Sequence, residues 1–154
     1  MREMPDVPYG VSFTIMENGE SAAGEPLDIL VAPMPGGCPQ PIAWGMNCGV
    51  GPAPLLEATK RAVALTELPL LVKPNAGRPR EVGNRMIYMC SPEYLAEYAK
   101  EYVQLGVAAV GGCCGTRPDH IREMAQTLKP LTRTRVKVDE HLGEACELKE
   151  EKPL

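Results

Sequence analysis

Cys113 and Cys114 stand side by side in Gly111-Gly112-Cys113-Cys114-Gly115-Thr116, and Cys48 follows an earlier apolar run at residues 42–46. Thiolate sulfur is a preferred donor to zinc, at about 2.3 Å, and zinc favours four tetrahedral ligands. Three thiols delivered from two loops can therefore hold a zinc ion and leave its fourth position open. Adjacent cysteines reach one ion only where the backbone turns sharply, which the glycines at 111, 112 and 115 permit. Three thiolates around a doubly charged cation make an electron-rich centre, a weak Lewis acid for water. Such a centre still binds and deprotonates a thiol, and the donating thiolates keep the bound sulfur nucleophilic. The chemistry implied is alkylation of a thiol rather than hydrolysis.

Plainer uses compete for the same residues. Cys113 and Cys114 could pack as small buried side chains or close a vicinal disulfide with a redox role. Cys48 alone could be a buried core cysteine. Cys38, Cys90 and Cys146 are expected outside the site. His120 is expected on a helix surface, and His141 falls in the C-terminal tail. Tyr98 and Tyr102 read as helix packing. Asn75, within Pro74-Asn75-Ala76-Gly77, has the composition of a simple turn. The glycines near 111 match neither phosphate-binding spacing.

The elements that must position these groups alternate between strand and helix. Residues 11–15, rich in β-branched and aromatic types, predict a strand that runs into turn composition at 17–20. A helix could begin at 27–31, but Pro33, Pro35 and Gly36-Gly37 would stop it. Residues 42–46 and 70–72 predict two further strands, with a helix from Ala53 to about Thr66 between them. Ser91 and Pro92 form a helix start, as cap and first helical residue, and Gly106 ends that helix. Residues 107–110 predict a fourth strand leading into the paired cysteines. Thr116 is expected to cap a last helix with Asp119 at the third position, and Ile121, Met124, Ala125 and Leu128 as its apolar face. Short, nearly continuous apolar strands separated by helices indicate an α/β fold with a parallel sheet covered by helices. Ligand sites in such folds lie beyond the C-terminal strand ends. Cys48, Asn75 and Cys113-Cys114 all fall there.

Composition narrows the function further. The 154-residue chain carries a net charge of -4, and its Lys and Arg are dispersed, which argues against nucleic-acid binding. No run of apolar residues is long enough to span a membrane, and the N-terminus lacks the apolar segment of a signal peptide. A cytoplasmic chain is expected, in which clustered cysteines serve metal or redox chemistry rather than a disulfide framework.

Four segments together resemble the homocysteine S-methyltransferase domain family, as found in cobalamin-dependent methionine synthase and betaine–homocysteine methyltransferase. They are Val11-Ser12-Phe13-Thr14, Met46-Asn47-Cys48, Pro74-Asn75-Ala76-Gly77 and the stretch from Gly111 to Thr116. The resemblance covers residues 9–130. It implies a (β/α)8 barrel in which Cys48, Cys113 and Cys114 hold a catalytic zinc, with homocysteine sulfur as the fourth ligand and methionine as product. Asn75 looks like the family asparagine that occupies the open position when substrate is absent. The implied methyl donors are a methylcobalamin or methyltetrahydrofolate system, betaine or S-methylmethionine.

A full barrel needs about 250 residues. The resemblance therefore places residues 1–131 as the C-terminal half of a TIM barrel, strands five to eight, with 132–154 as a charged extension or linker. The proline-rich segment at 32–41 falls where the fifth barrel helix should run. A half barrel exposes two sheet edges, so a truncated reading frame, a complementary N-terminal half or self-association is expected. A fused cobalamin, folate or reductase module is a further implied partner. The non-catalytic alternative is a structural zinc or interaction fragment.

Overall fold

The computed structural model describes residues 7–36 and 38–131. The expected extension at 132–154, with His141 and Cys146, lies outside the described residues.

Four strands form one parallel sheet in the order β1 (Gly10–Thr14), β2 (Ala43–Asn47), β3 (Leu70–Lys73) and β6 (Ala109–Val110). Parallel neighbours require crossovers. These are supplied by α1 (Leu27–Leu30), α2 (Pro52–Ala62) and, between β3 and β6, α3 (Pro92–Gln104). A last helix, α4 (Pro118–Leu128), follows β6 and packs on α3. The architecture is a partial (β/α) barrel, parallel strands covered by helices, as the sequence led us to expect.

Alternation along the strands separates two faces. Trp44, Met46, Leu70 and Val72 point toward the helices, where Leu55, Leu56, Ala62 and Tyr102 bury them. Two polar tips in this core find backbone partners. Trp44 Nε1 donates to Leu30 O at 3.0 Å, and the Tyr102 hydroxyl donates to Pro52 O at 2.6 Å. A second cluster of Leu95, Ala96, Ala99 and Met124 joins α3 to α4. The alanines let the two helices approach closely.

Apart from Leu71, the opposite face is small or polar. Ser12, Gly45, Leu71 and Ala109 lie in register across the four strands. A Cβ at Gly45 would come within 3.0 Å of Ser12 Oγ and 3.3 Å of Leu71 Cβ. Gly10, Ser12 and Ala109 are exposed there. In a closed barrel this face is the interior.

Several boundaries differ from the sequence reading. Helix α2 ends at Ala62, because Ala64 and Leu65 donate to Arg61 and Ala62 three residues back and tighten the chain. Strand β6 begins two residues late, since the Val107 N–H still donates to Tyr102 O at the end of α3. The helix start expected at 27–31 is a single turn, α1, and the described residues of 32–41, where the fifth barrel helix should run, hold no helix, as the prolines at 33 and 35 led us to expect. Helix α4 is capped by Arg117 rather than Thr116, because Pro118, which has no N–H to satisfy, takes the first helical position.

One element went unread. Residues 78–90 contain an antiparallel hairpin of β4 (Pro79–Val82) and β5 (Arg85–Tyr88). It is turned by Gly83 and Asn84, at φ 55° and 61°. Positive φ at both central residues is the two-residue turn that matches strand twist.

Candidate metal centre

Cys48, Asn75 and the Cys113–Cys114 pair leave the ends of β2, β3 and β6, which are neighbours in the sheet. The loops are stitched together by backbone. Cys48 N–H donates to Lys73 O at 3.1 Å, and Asn75 N–H donates to Val50 O at 3.1 Å. Cys113 N–H donates to Pro74 O, and Ala76 N–H to Cys114 O, both at 2.8 Å. Each cysteine is therefore held by the strand end beside it.

The turn at Cys48 is tight. Cys48 itself adopts φ 56° and Gly49 follows at 68°. A side chain at Gly49 would overlap the Ile15 carbonyl, so only glycine fits. A non-glycine residue in the left-handed region is strained, and such positions cluster at functional sites. Of the three glycines around the paired cysteines, only Gly115 uses positive φ, at 78°. Gly112 is required for a different reason: a Cβ there would collide with the Thr116 side chain.

The result brings the sulfurs of Cys48, Cys113 and Cys114 within 4.8 Å of one another. Cys48 Sγ and Cys114 Sγ are 3.3 Å apart. Tetrahedral thiolates on a zinc ion stand about 3.8 Å apart, from bonds of about 2.3 Å. One pair is within about 0.5 Å of that separation and none exceeds it by more than about 1 Å, so the donor set fits the ion. Burial pushes the Cys48 thiol up, but hydrogen bonds from Cys113, from Cys114 and from the Gly49 and Cys114 N–H groups outweigh it and leave the thiol below its ordinary value. Burial, and then its own hydrogen bond to Cys48, push Cys113 up to about 11. Without metal, Cys48 therefore gives up its proton before Cys113 does.

Asn75 is 3% exposed, and its Oδ1 accepts the Cys114 N–H at 3.2 Å. Beside Cys48 a cleft of about 420 Å3 opens, lined by Gly49, Met16, Pro52, Arg78 and Tyr94 among others. An exposed Glu17–Arg78 pair at 3.7 Å spans its lining. Cys38 is exposed and Cys90 part-buried, and neither belongs to the cluster.

His120 corrects the sequence reading. It is 2% exposed rather than on the surface. Its Nδ1 accepts the Arg117 N–H at 3.2 Å, so Nε2 carries the proton and donates to Cys90 O at 2.9 Å. The Cys90 N–H in turn donates to Ala76 O at 3.0 Å. The hairpin's exit is thus clamped between α4 and the Asn75 loop. Tyr98 and Tyr102 pack on their helix as expected, Tyr98 against Tyr94 with ring centroids 5.0 Å apart.

Tyr88, at the end of β5, reaches the cluster without having been singled out in sequence. The base of its side chain lies so close to Gly115 that a Cβ there would overlap the Tyr88 Cβ and Cγ. The hydrogen bond with Cys114, reinforced by burial, raises the Tyr88 phenol above its ordinary value. The signal that could have located it is the Gly83-Asn84 turn, which fixes the hairpin and hence where β5 ends.

Residues 1–128 match the homocysteine S-methyltransferase family. The chain is 35% identical over 123 residues to methionine synthase of Mycobacterium leprae (strain TN), covering 77% of this chain and 10% of that protein. It is 38% identical over 90 residues to methionine synthase of Mycobacterium tuberculosis (strain ATCC 25618 / H37Rv), covering 58% of this chain and 8% of that protein. The chain thus spans about a tenth of the length of these relatives. Its fold matches the apo crystal structure of the homocysteine methyltransferase MmuM from Escherichia coli with a TM-score of 0.60 and 30% identity. That match covers 80% of this chain and 40% of the other. By sequence and by fold, the chain belongs to the homocysteine S-methyltransferase family.

Proposed function

We propose that this chain is the zinc-binding, thiol-activating half of a barrel that transfers a methyl group to homocysteine. The observation that carries the reading is the meeting of three cysteine sulfurs beyond the ends of β2 and β6, on either side of β3, at separations one zinc ion can bridge. Cys48, Cys113 and Cys114 hold the zinc. Among the described residues no fourth His, Cys or carboxylate joins them, which supports an open position rather than a closed structural site. When bound, the zinc supplies the positive charge that keeps the substrate thiol ionised near neutral pH.

The chain's own residues prepare that position. Asn75 fixes Cys114 by accepting its backbone N–H, and this place beside the cluster supports a side chain that fills the open site until substrate arrives. The loops hold the sulfurs before substrate binds, so little order is lost on binding. The homocysteine sulfur then attacks the methyl carbon of the donor, the carbon's bond to the donor breaks, and methionine forms. The donor is a methylcobalamin or methyltetrahydrofolate system, betaine or S-methylmethionine.

The remainder of the barrel supplies the pocket for the amino and carboxylate groups of homocysteine. Strands β1 and β6 end the sheet and offer unpaired edges to it. A complementary N-terminal half is the natural occupant, and a second copy of this chain is the alternative. Residues 132–154 serve as a linker toward a cobalamin, folate or reductase module. The chain works in the cytoplasm without nucleic acid or membrane; among the described residues, no helix is long and apolar enough to cross a membrane.

Calorimetry on zinc-loaded, reduced chain tests the proposal. Homocysteine should bind with proton release, whereas homoserine, which lacks the sulfur, should not, and zinc-free chain should bind neither. Equal binding of both amino acids, or none, would leave the structural zinc reading in its place.

A further inference from the structure

One charge on the open face of the sheet has no counter-charge. Lys73 is the last residue of β3, and Val72 before it packs into the covered core. Alternation therefore sends the lysine to the face that would be a barrel interior. Its stem runs over Gly111, where an added Cβ would lie 3.4 Å from Lys73 Cγ. Register sets Thr14, Asn47 and Lys73 side by side in one row. That row adjoins the cysteines: Cys48 follows Asn47 directly, and its N–H donates to Lys73 O at 3.1 Å. Lys73 is part-buried, yet among the described residues no carboxylate pairs with it. Asn47 adds a second donor. The Ser12 hydroxyl occupies its Oδ1, and among the described residues nothing accepts from its Nδ2.

We propose that Lys73, with Asn47 beside it, takes the α-carboxylate of the substrate and so selects an amino-acid thiol over a simple one. The inference rests on the homocysteine reading above and deepens it: to the pocket that the remainder of the barrel supplies, this half adds one cation. An ammonium withdrawn from water is stable only when paired, and completing the barrel would cover this face further. Lys73 therefore calls for an anion at the mouth. Strand spacing sets the distance. Neighbouring strands lie about 4.8 Å apart, and β3 runs between the two strands whose ends lead to the cysteines. Homocysteine spans about 5 Å from sulfur to carboxylate carbon, across four single bonds. A thiol held beyond those strand ends thus brings its carboxylate within reach of the row. The charge also discriminates. Three thiolates on a doubly charged ion leave the centre negative, so attraction to the centre alone favours a cationic thiol over an anionic one. A preference for carboxylate needs a local cation, which Lys73 provides.

The test is calorimetry on the full-length, reduced, zinc-loaded chain with three thiols. They are homocysteine, 3-aminopropanethiol, which lacks only the carboxylate, and 4-mercaptobutyrate, which lacks only the amino group. The native chain should bind 4-mercaptobutyrate more tightly than 3-aminopropanethiol. Equal affinities, or the reverse order, would overturn the assignment and leave the zinc reading standing. Binding of none of the three would defeat the zinc reading and the assignment with it. Lys73→Met keeps the length of the stem and removes the charge. It should weaken both carboxylate thiols about tenfold or more, the effect of losing a hydrogen bond between charged groups, and leave 3-aminopropanethiol unchanged. Lys73→Arg, which keeps the charge, should retain most of the affinity. If Lys73→Met weakened all three thiols equally, the lysine would support the metal centre rather than the substrate. If it weakened none, Lys73 would be a bystander. Either result overturns the proposal. Should the variants fail to fold, the order of affinities in the native chain still decides.

Discussion

The two faces of the four-stranded sheet are built from alternate residues of the same strands, yet they do different work. On the helix side Trp44, Met46, Leu70 and Val72 are each at most 4% exposed. On the other side stand Ser12, Gly45, Asn47 and Lys73, small or polar, with the Ser12 hydroxyl donating to Asn47 Oδ1. One face carries the burial that stabilises the fold. The other has the character of a barrel interior, and the cysteines lie just beyond its strand ends. Stability and chemistry are thereby separated, which lets a partial barrel keep an assembled cluster of three cysteines.

Breaking the cluster should have the largest effect and leave the covered face intact. Cys113→Ser should reduce zinc from one ion per chain to almost none in equilibrium dialysis, with helix content by circular dichroism unchanged. Loss of helix together with zinc would mean that the metal, not the covered face, holds the chain together.

A pair of substitutions tests the faces directly. Trp44→Ala removes a fully packed indole and its bond to Leu30 and should cost about 3–5 kcal/mol in urea denaturation. Ser12→Ala, on the open face, should cost about 1 kcal/mol or less. Similar costs would erase the distinction.

Asn75→Ala should weaken zinc binding about 10–100-fold, the usual penalty for losing a partner of a metal ligand, because the Cys114 N–H loses its acceptor. A competition titration with a chelator would read the change. An unchanged affinity would make Asn75 a simple turn residue.

Proton competition should appear as pH dependence. Cys113 holds its proton up to about 11, so zinc must displace that proton throughout the neutral range. Affinity should therefore rise with pH, by about tenfold per unit for each proton displaced. A flat profile between pH 6 and pH 8 would show, at about one proton's resolution, that Cys113 is not a ligand.

The sequence made the strand ends legible because the chemistry-bearing residues follow apolar runs directly. The start of α3 was equally plain: Ser91 accepts the Tyr94 N–H at 3.2 Å, with Pro92 next to it. The hairpin was not legible, because a ribbon exposed at most of its positions shows little apolar alternation. The face of α4 was read half correctly. Met124 is buried and Leu128 packs beside it as expected, but Ile121 is 46% exposed and Ala125 is exposed too, while His120 is buried in their stead. A histidine with both ring nitrogens satisfied buries as readily as an apolar residue, and periodicity in apolar types cannot register it. Tyr88 was missed for a related reason, since its place beside Gly115 depends on the turn that fixes where β5 ends.

The number of sulfurs around the metal distinguishes an open, thiol-activating site from a closed one. X-ray absorption at the zinc edge of the reduced, zinc-loaded chain should find one zinc with three sulfur neighbours, rising to four when homocysteine is added. A count that stays at three would contradict the open, thiol-activating site, and four sulfurs before any substrate would mark a closed structural centre.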